Sequence, residues 1–352
     1  QIENGSTDNC AVASLSVTPN TFDCSNVGAN TVTLTVTDVN GNTDNCTATV
    51  TVEDNINPTA VCQDITVNLF GFGTAIITAA QVDGGSTDNC AIASLSVDPN
   101  SFDCSNVGPN TVTLTVTDVN GNSSTCTATA TVQDPLTPIA ICQDVTVQLS
   151  ALGEASVLAA TIDGGSTDNC GIDTLLLNPS DFNCFNIGAN TVSLTVVDVN
   201  GNSSTCTAVV TVEDNVDPEI ECQNITVELD ASGTAIITGA DIDNGTTDNC
   251  STIGNDLTLA VSPGTFNCNN VGTNTVTLTA TDAYGNTSTC TATVTVEDNI
   301  DPTALCQDIT VQLNASGNVS IIPAQINNGS FDNCGIADLA LSQDAFDCSE
   351  VG

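Results

Sequence analysis

Threonine and aliphatic residues alternate with a period of two along much of this chain. In the run Thr31–Thr37, threonine occupies every odd position and Val or Leu every even one, and the pattern recurs at Thr291–Val296. β-Branched residues in this order are typical of strands with one buried face. No helical period of 3.6 residues extends over a useful length. The sequence therefore predicts an all-β protein.

Turn signals separate the predicted strands, and the whole pattern repeats about every 80 residues. Asn-Gly dipeptides at 40–41, 120–121 and 200–201 lie between alternating runs, which is a strong hairpin signal. Six or seven short strands per repeat predict a small antiparallel β-sandwich of immunoglobulin type. We expect three complete repeats and two partial ones, because the chain starts and stops inside a repeat, as in a window cut from a longer polypeptide. The predicted domains are 1–54 (truncated at its N-terminus), 55–134, 135–214, 215–298 and 299–352 (truncated at its C-terminus).

The motifs of each repeat resemble a known family. A Cys follows the Pro of an acidic linker, and a run of the type GxNTVTLTVTDxxGNxxxCTATVTVxD ends the repeat. This run is similar to the hyalin repeat (HYR-type) module, and especially to tandem arrays in large surface and adhesion proteins of Bacteroidota. The resemblance implies an extracellular protein with an adhesive or structural role, located at a bacterial cell surface.

The chain contains 18 cysteines at regular spacing. Small units with a limited core and regularly spaced cysteines are typical of disulfide-bonded secreted proteins. A zinc site would require CxxC pairs or histidines, and the sequence has neither. We therefore expect disulfides in an extracellular protein.

The chain carries a formal net charge of −42 and has no Lys, Arg or His. Nucleic acid and anionic membrane surfaces would repel it, so neither is expected as a direct partner. No run of about 20 apolar residues is present, so direct membrane insertion is not expected. Carboxylates that lie close together must be separated by water, screened by salt or neutralised by metal ions.

Four cysteines per repeat allow three pairings. In an immunoglobulin-like sandwich the first and last strands run parallel, so cysteines at their beginnings can pair, while the other two cysteines can form a local bridge. A rival scheme, Cys46–Cys62 and Cys126–Cys142 across each linker, would require a strand to fold back over itself. The expected first-to-last pairs are Cys62–Cys126, Cys142–Cys206 and Cys222–Cys290, and the expected local pairs are Cys10–Cys24, Cys90–Cys104, Cys170–Cys184, Cys250–Cys268 and Cys334–Cys348.

Acidic residues recur in the linker, in the TDNC loop and at the end of the penultimate strand. Topology places these three segments at the pole where the preceding linker enters, and their carboxylate and amide oxygens are typical calcium ligands. The alternative is turn chemistry alone, since Asp and Asn before Cys cap turns without any metal. The candidate calcium ligands are Asp54, Asn57, Asp88, Asp118, Asp134, Asp168, Asp198, Asp214, Asp217, Asp248, Asp282, Asp298, Asp301 and Asp332.

Proline follows each final strand by a few residues and stiffens the linker, which favours an extended rod. We therefore expect a structural array that forms the stalk or filament of a secreted bacterial surface protein, with other copies of the chain or neighbouring repeats as partners. The alternative is an array of binding modules for polysaccharide or a surface protein. Without His, Lys or Arg there is no conventional general base for a Ser or Cys nucleophile and no oxyanion-stabilising cation, so we do not expect an enzyme. Threonine rows also occur on ice-binding surfaces, but any secreted strand exposes threonine in this way.

Overall fold

The computed structural model describes residues 5–252 and 255–352. The chain divides into two compact units. One unit comprises 1–143, 163–178 and 193–207, and the other comprises 144–162, 179–192 and 208–352, so the third repeat contributes residues to both. In these described ranges no helix has the length and apolar character needed to cross a membrane.

Strands form most of the regular structure, together with four-residue helices and short 3-10 turns. The first repeat contains β1 (Val12–Thr18), β2 (Gly28–Asp38) and β3 (Thr43–Val52). The second contains β4 (Ile65–Asn68), β5 (Thr74–Ile76), α1 (Ala79–Val82), β6 (Ile92–Asp98), β7 (Ser101–Asp103), β8 (Gly108–Asp118) and β9 (Ser123–Gln133). The third contains β10 (Val145–Gln148), β11 (Glu154–Ser156), α2 (Ala159–Ile162), β12 (Ile172–Asn178), β13 (Asp181–Asn183), β14 (Gly188–Asp198) and β15 (Ser203–Glu213).

The fourth and fifth repeats lie in the second unit. The fourth contains β16 (Ile225–Glu228), β17 (Thr234–Ile236), α3 (Gly239–Ile242), β18 (Thr258–Ser262), β19 (Thr265–Asn267), β20 (Gly272–Thr281) and β21 (Thr287–Glu297). The fifth contains β22 (Asn318–Ser320), α4 (Pro323–Ile326) and β23 (Ala345–Asp347). The 3-10 turns are Cys24–Asn26, Cys104–Asn106, Cys184–Asn186, Cys268–Asn270 and Cys348–Glu350.

The second repeat is a sandwich of a four-stranded and a two-stranded sheet. The larger sheet has the order β4-β9-β8-β6, and β5 pairs with β7 in the smaller one. Val112 and Leu114 of β8 and Ala130 of β9 are fully buried, and they pack in one core with Phe102 of β7. The threonines between them face outward, as the alternation predicts. The all-β sandwich prediction is confirmed.

The fourth repeat has the same architecture within the second unit. Its four-stranded sheet has the order β16-β21-β20-β18, and β17 pairs with β19. Leu278, Val294 and Phe266 occupy its core. In both repeats the first strand is parallel to the last, β4 to β9 and β16 to β21.

The helices were not predicted, because four residues are too few to show a helical period. In the first unit α1 begins after Thr78 and buries Val82 completely. The Gln81 side chain accepts a hydrogen bond from the backbone N–H of Thr78, which closes this single turn. A short helix therefore covers one side of the sandwich core where the sequence indicated only a connection.

Candidate metal site at the repeat junctions

Three aspartates from three segments meet where one repeat joins the next. We define a junction as the linker after one repeat together with the TDNC loop and the hairpin between the last two strands of the next. At each of three junctions, one carboxylate oxygen from each aspartate lies within 4.8 Å of the other two. The clusters are Asp54, Asp88 and Asp118; Asp134, Asp168 and Asp198; and Asp214, Asp248 and Asp282.

The TDNC loop is shaped by its own aspartate. At the second junction, Asp168 Oδ2 accepts hydrogen bonds from the backbone N–H groups of Cys170 (2.8 Å) and Gly171 (3.2 Å). This is the turn that aspartate forms with its own backbone. The other oxygen, Asp168 Oδ1, is buried and has no hydrogen-bond partner. Turn formation therefore uses one carboxylate oxygen and leaves the other available.

The hairpin aspartate is buried and held by several hydrogen bonds. Asp198 is 2% exposed, and its Oδ1 accepts from the backbone N–H groups of Asn200 and Asn202, both at 2.8 Å. The Asn202 amide donates to Asp198 Oδ2 (2.8 Å) and also to the backbone carbonyl oxygen of Asp134 (3.0 Å). Asn202 therefore joins the hairpin of the third repeat to the linker that precedes it.

The linker aspartate completes the second junction. Asp134 is 7% exposed, and its Oδ1 accepts hydrogen bonds from the Asn169 amide (3.2 Å) and from the Leu136 backbone N–H (3.2 Å). Its Oδ2 has no partner, and neither do the amide oxygens of Asn169 and Asn200. Four buried oxygens of this junction thus lack a donor, counting Asp168 Oδ1. Asn169 and Asn200 were not among the predicted ligands, although the Asn before each TDNC cysteine was visible in the sequence.

The third junction has the same pattern in the second unit. Asp214 is 4% exposed, and its Oδ2 has no partner. The buried oxygens Asp248 Oδ1 and Asn249 Oδ1 also lack partners. Asp282 is 6% exposed and accepts from the Asn286 amide, which also donates to the backbone oxygen of Asp214. The third junction therefore repeats the three aspartates and the TDNC asparagine of the second, but Tyr284 stands where the second has Asn200.

The first junction is more exposed and better satisfied. Asp54 Oδ2 accepts a hydrogen bond of 2.7 Å from the Asn120 amide, and of this cluster's side-chain oxygens only Asp88 Oδ1 is both buried and unpartnered. At the fourth junction, Asp298 Oδ1 accepts from the Asn333 amide (3.0 Å), and Asp332 Oδ1 and Asn333 Oδ1 have no partner. Asp298 and Asp332 belong to no three-residue cluster among the described residues.

Three of the predicted ligands are exposed linker residues. Asn57, Asp217 and Asp301 are exposed, and neither of these two aspartates belongs to a described cluster. They lie three residues beyond the linker aspartate, next to a proline. The structure therefore brings the linker, TDNC and hairpin aspartates together at three junctions, and Asp217 and Asp301 belong to none of these clusters.

Hydrogen bonds lower the pKa of the hairpin aspartate Asp118. Desolvation raises the pKa of Asp118, but hydrogen bonds from the Asn122 side chain and from backbone N–H groups of the hairpin outweigh it and hold this pKa below its ordinary value. The only tyrosine, Tyr284, lies at the third junction. Burial raises the pKa of Tyr284 above its ordinary value and is the largest cause. The negative charges of Asp214, Asp256 and Asp282 raise this pKa further.

The first-to-last disulfides lie within repeats. Cys62 is bonded to Cys126, and Cys142 to Cys206, in the first unit, and Cys222 to Cys290 in the second. The parallel pairing of β4 with β9 brings the beginnings of the first and last strands together, as the sandwich geometry predicts. Among the described cysteines, none forms the linker-crossing bridge of the rival scheme.

The predicted local disulfides are wrong. The structure instead bonds successive repeats together, and the second bridge is Cys104–Cys170. Cys90 precedes β6 and Cys104 follows β7, and the seven residues of β6 span about 23 Å, which carries the chain away from Cys90. Cys104 therefore lies beside the next repeat, with its Sγ 3.5 Å from the backbone oxygen of Asn169. The other bridges of this kind are Cys24–Cys90, Cys184–Cys250 and Cys268–Cys334.

A constant spacing in the sequence marked these bridges. All four have a sequence separation of 66, whereas the cysteines expected to pair locally are 14 apart in most repeats and 18 apart across the 251–256 insert. Ile253 and Gly254 of that insert lie outside the described residues. The expected bridges of Cys10 and Cys348 are also corrected, because both are free among the described cysteines, as are Cys46 and Cys306.

Comparison with known proteins gives one curated relative. Over 330 residues, 88% of the chain, the sequence is 31% identical to hyalin of the sea urchin Strongylocentrotus purpuratus, and it spans 27% of that protein. No family model matches. A sea-urchin relative does not support the predicted origin in Bacteroidota.

Solved structures of multidomain proteins also align with the chain. Cadherin domains 1–4 of protocadherin gamma B7 align at 15% identity over 78% of this chain and 84% of that one, with a TM-score of 0.29. Three titin domains, I67–I69, align at 10% identity over 68% of this chain and 98% of the titin chain, with a TM-score of 0.30. From its own disulfides and repeated sandwiches, and from its similarity to hyalin, the chain is an extracellular array of immunoglobulin-like β-sandwich repeats.

Proposed function

We propose that this protein is a structural array whose junctions bind calcium, and that it forms the stalk or filament of a larger extracellular protein. The observation that carries the proposal is the recurrence of one junction design. Linker, TDNC loop and hairpin contribute one aspartate each at three successive junctions. A function that depends on many equivalent junctions is structural, since such an array acts through its length and stiffness.

The charges at the junctions favour a cation from outside the chain. Two carboxylates about 4.8 Å apart repel each other by about 1 kcal/mol in water and by about 3.5 kcal/mol at an effective dielectric constant of 20. The second and third clusters each contain two aspartates that are 7% exposed or less, which weakens screening by salt. With no Lys, Arg or His in the sequence, no side chain can neutralise this repulsion.

The oxygens without donors fit a hard divalent cation. A buried polar atom without a hydrogen bond is costly, and four such atoms belong to the second junction. Calcium takes six to eight oxygen ligands and mixes carboxylates with amide oxygens and water. Asp134 Oδ2, Asp168 Oδ1, Asn169 Oδ1 and Asn200 Oδ1 are the side-chain oxygens that would bind it, with water and the Asp198 carboxylate as further ligands. Magnesium demands a stricter octahedron and retains more of its water.

Differences between repeats favour a structural role over a recognition role. An array of binding modules would concentrate its variation in loops at one pole, whereas a spacer varies without pattern. The second and third repeats differ on strands, as at Thr74 and Glu154, as well as on loops, as at Phe70 and Ser150, and the fourth carries the 251–256 insert. Recognition of polysaccharide or a surface protein is the second candidate, and the exposed side chains of Phe70 (70%) and Phe72 (95%) are the feature that favours it.

Small-angle scattering of the oxidised chain tests this function. Calcium should extend the distribution of interatomic distances to a larger maximum dimension, and EDTA should reverse this change, because neutralised junctions bend less. Asp134→Asn combined with Asp214→Asn should reduce the calcium effect to the contribution of the first junction, whereas the matched pair of exposed aspartates, Asp98→Asn with Asp181→Asn, should retain the full effect. Identical curves with calcium and with EDTA would refute calcium-dependent stiffening.

A further inference from the structure

The disulfides of this chain overlap without a gap. Each closed loop begins before the preceding one ends, alternating between bridges within a repeat and bridges between repeats. The seven loops are 24–90, 62–126, 104–170, 142–206, 184–250, 222–290 and 268–334. Every peptide bond from Cys24 to Cys334 is therefore enclosed by at least one disulfide loop.

The bridges between repeats also shorten the covalent path along the array. A path from Cys24 crosses a disulfide to Cys90, follows the backbone to Cys104, and crosses the next disulfide to Cys170. From Cys170 it follows the backbone to Cys184 and crosses the disulfide to Cys250. It then follows the backbone to Cys268 and crosses the disulfide to Cys334. The remaining strands of each sandwich lie outside this path.

We propose that the overlapping disulfides make the array inextensible under tension and keep it covalently continuous after its backbone is cut. Tension passes through the short segments Cys90–Cys104, Cys170–Cys184 and Cys250–Cys268 and through the bridges between them. A fully extended 14-residue segment reaches about 50 Å, whereas a whole repeat of 80 residues reaches about 280 Å once the bridges are reduced. Unfolding of an oxidised repeat with a 14-residue segment therefore releases less than about 50 Å of chain length. This inference rests on the disulfide pairing and is independent of calcium.

Cleavage at Asp-Pro bonds tests the covalent pattern. These bonds hydrolyse in mild acid, disulfides survive that treatment, and the chain has Asp-Pro at 98–99, 134–135, 217–218 and 301–302. Complete cleavage gives five segments, and every neighbouring pair of segments is joined by a disulfide. Without reductant we expect one species with the mass of the whole chain plus one water for each cleaved bond, and after reduction five fragments.

A matched pair of double variants locates the effect. With Cys104→Ser and Cys170→Ser, cleavage at 134–135 should separate the chain into two parts without reductant, because no other loop encloses that bond. With Cys142→Ser and Cys206→Ser, the cleaved chain should remain one species. Separation of the oxidised natural chain at 134–135 would overturn the proposal.

Single-molecule stretching tests the mechanical consequence. Between Cys90 and Cys184 the natural path uses only the backbone segments 90–104 and 170–184 and the bridge that joins them. Without that bridge, the shortest path first runs back along the backbone from Cys90 to Cys62 and crosses the disulfide to Cys126. It then runs forward to Cys142, crosses the disulfide to Cys206, and runs back along the backbone to Cys184. The longer route adds about 38 residues, which should lengthen the variant by about 130 Å on full extension.

The same measurement has an internal control. Loss of Cys142–Cys206 should add nothing, because the natural path does not use that bridge. An oxidised natural chain that extends by about 280 Å per repeat would contradict the proposal.

Discussion

The side-chain amide of Asn202 donates a hydrogen bond of 3.0 Å to the backbone carbonyl oxygen of Asp134, 68 residues earlier in the chain. The same contact joins Asn122 to Asp54 and Asn286 to Asp214, also at 3.0 Å. In each case the asparagine also donates to the hairpin aspartate of its own repeat. One side chain thus fixes the linker carbonyl and the hairpin carboxylate relative to each other.

Asn202→Ala should destabilise the junction that Asn202 joins. The substitution removes hydrogen bonds to Asp134 and Asp198 and leaves buried acceptors with fewer donors, a loss of about 1–3 kcal/mol. Urea unfolding with and without calcium measures it. The matched control is Asn42→Ala, since Asn42 donates to Asp38 in its own hairpin in the same way, but among the described residues it forms no hydrogen bond to a linker. Equal losses in the two variants would contradict a role at the junction.

Gly153 should be required for the bridge between the third and fourth repeats. Its φ is +70°, and a Cβ atom would lie 2.7 Å from Cys184 Sγ and 3.0 Å from the backbone oxygen of Asn249. Gly153→Ala should therefore lower the yield of the Cys184–Cys250 disulfide on oxidative refolding, measured by mass mapping. Gly165→Ala is the control, because its φ is +100° but a Cβ atom there has nothing within 4 Å. The same yield in both variants would show that the close approach at Gly153 is unimportant.

Tyr284 should report binding at the third junction. Desolvation and the neighbouring carboxylates raise the pKa of Tyr284, and a bound cation would cancel part of the carboxylate contribution. Calcium should therefore shift the pKa of Tyr284 downward, toward its ordinary value. The absorbance of tyrosinate during an alkaline titration measures this shift specifically, because the sequence has no other tyrosine and no tryptophan. An Asp248→Asn variant that keeps the full calcium-induced shift would argue against binding there.

Asp230 should contribute stability that disappears in acid. Hydrogen bonds from the Ser232 hydroxyl and from the backbone N–H groups of Thr234 and Ser232 lower the pKa of Asp230 to about 2. A folded-state pKa below the unfolded value stabilises the protein above about pH 4, and this contribution is lost as the pH falls toward 2. Asp230→Asn should therefore show a shallower loss of stability over that interval. Asn314 forms the equivalent turn in the fifth repeat, so asparagine fits the position. An unchanged slope would exclude this contribution.

Local pattern predicted the strands and the first-to-last disulfides but not the bridges between repeats. Alternating Thr and Val indicate which face of β8 is buried, and parallel first and last strands then bring Cys62 near Cys126. The partner of Cys104 depends on where the next repeat begins in space, which no alternation encodes. Cys90 appeared feasible because it is close in sequence, but β6 separates the two cysteines by its own length.

The candidate ligands divide in a similar way. The linker, TDNC and hairpin aspartates were predictable, because each ends or follows a strand at the same pole. The amide oxygens of Asn169 and Asn249 were missed, because only the packed junction shows that each amide N–H group bonds a linker aspartate and leaves its oxygen unpartnered. Side-chain direction within a loop is set by packing rather than by residue type.

Calcium titration of the oxidised chain by isothermal calorimetry tests the central claim most directly. The account predicts saturable binding at the three clusters, with two sites lost or weakened by about tenfold or more in the Asp134→Asn, Asp214→Asn double variant, because each site loses a charged ligand. The Asp98→Asn, Asp181→Asn control removes the same net charge from exposed positions and should bind as the natural chain does. Identical isotherms for the double variant and the natural chain would contradict the assignment of calcium to the junctions.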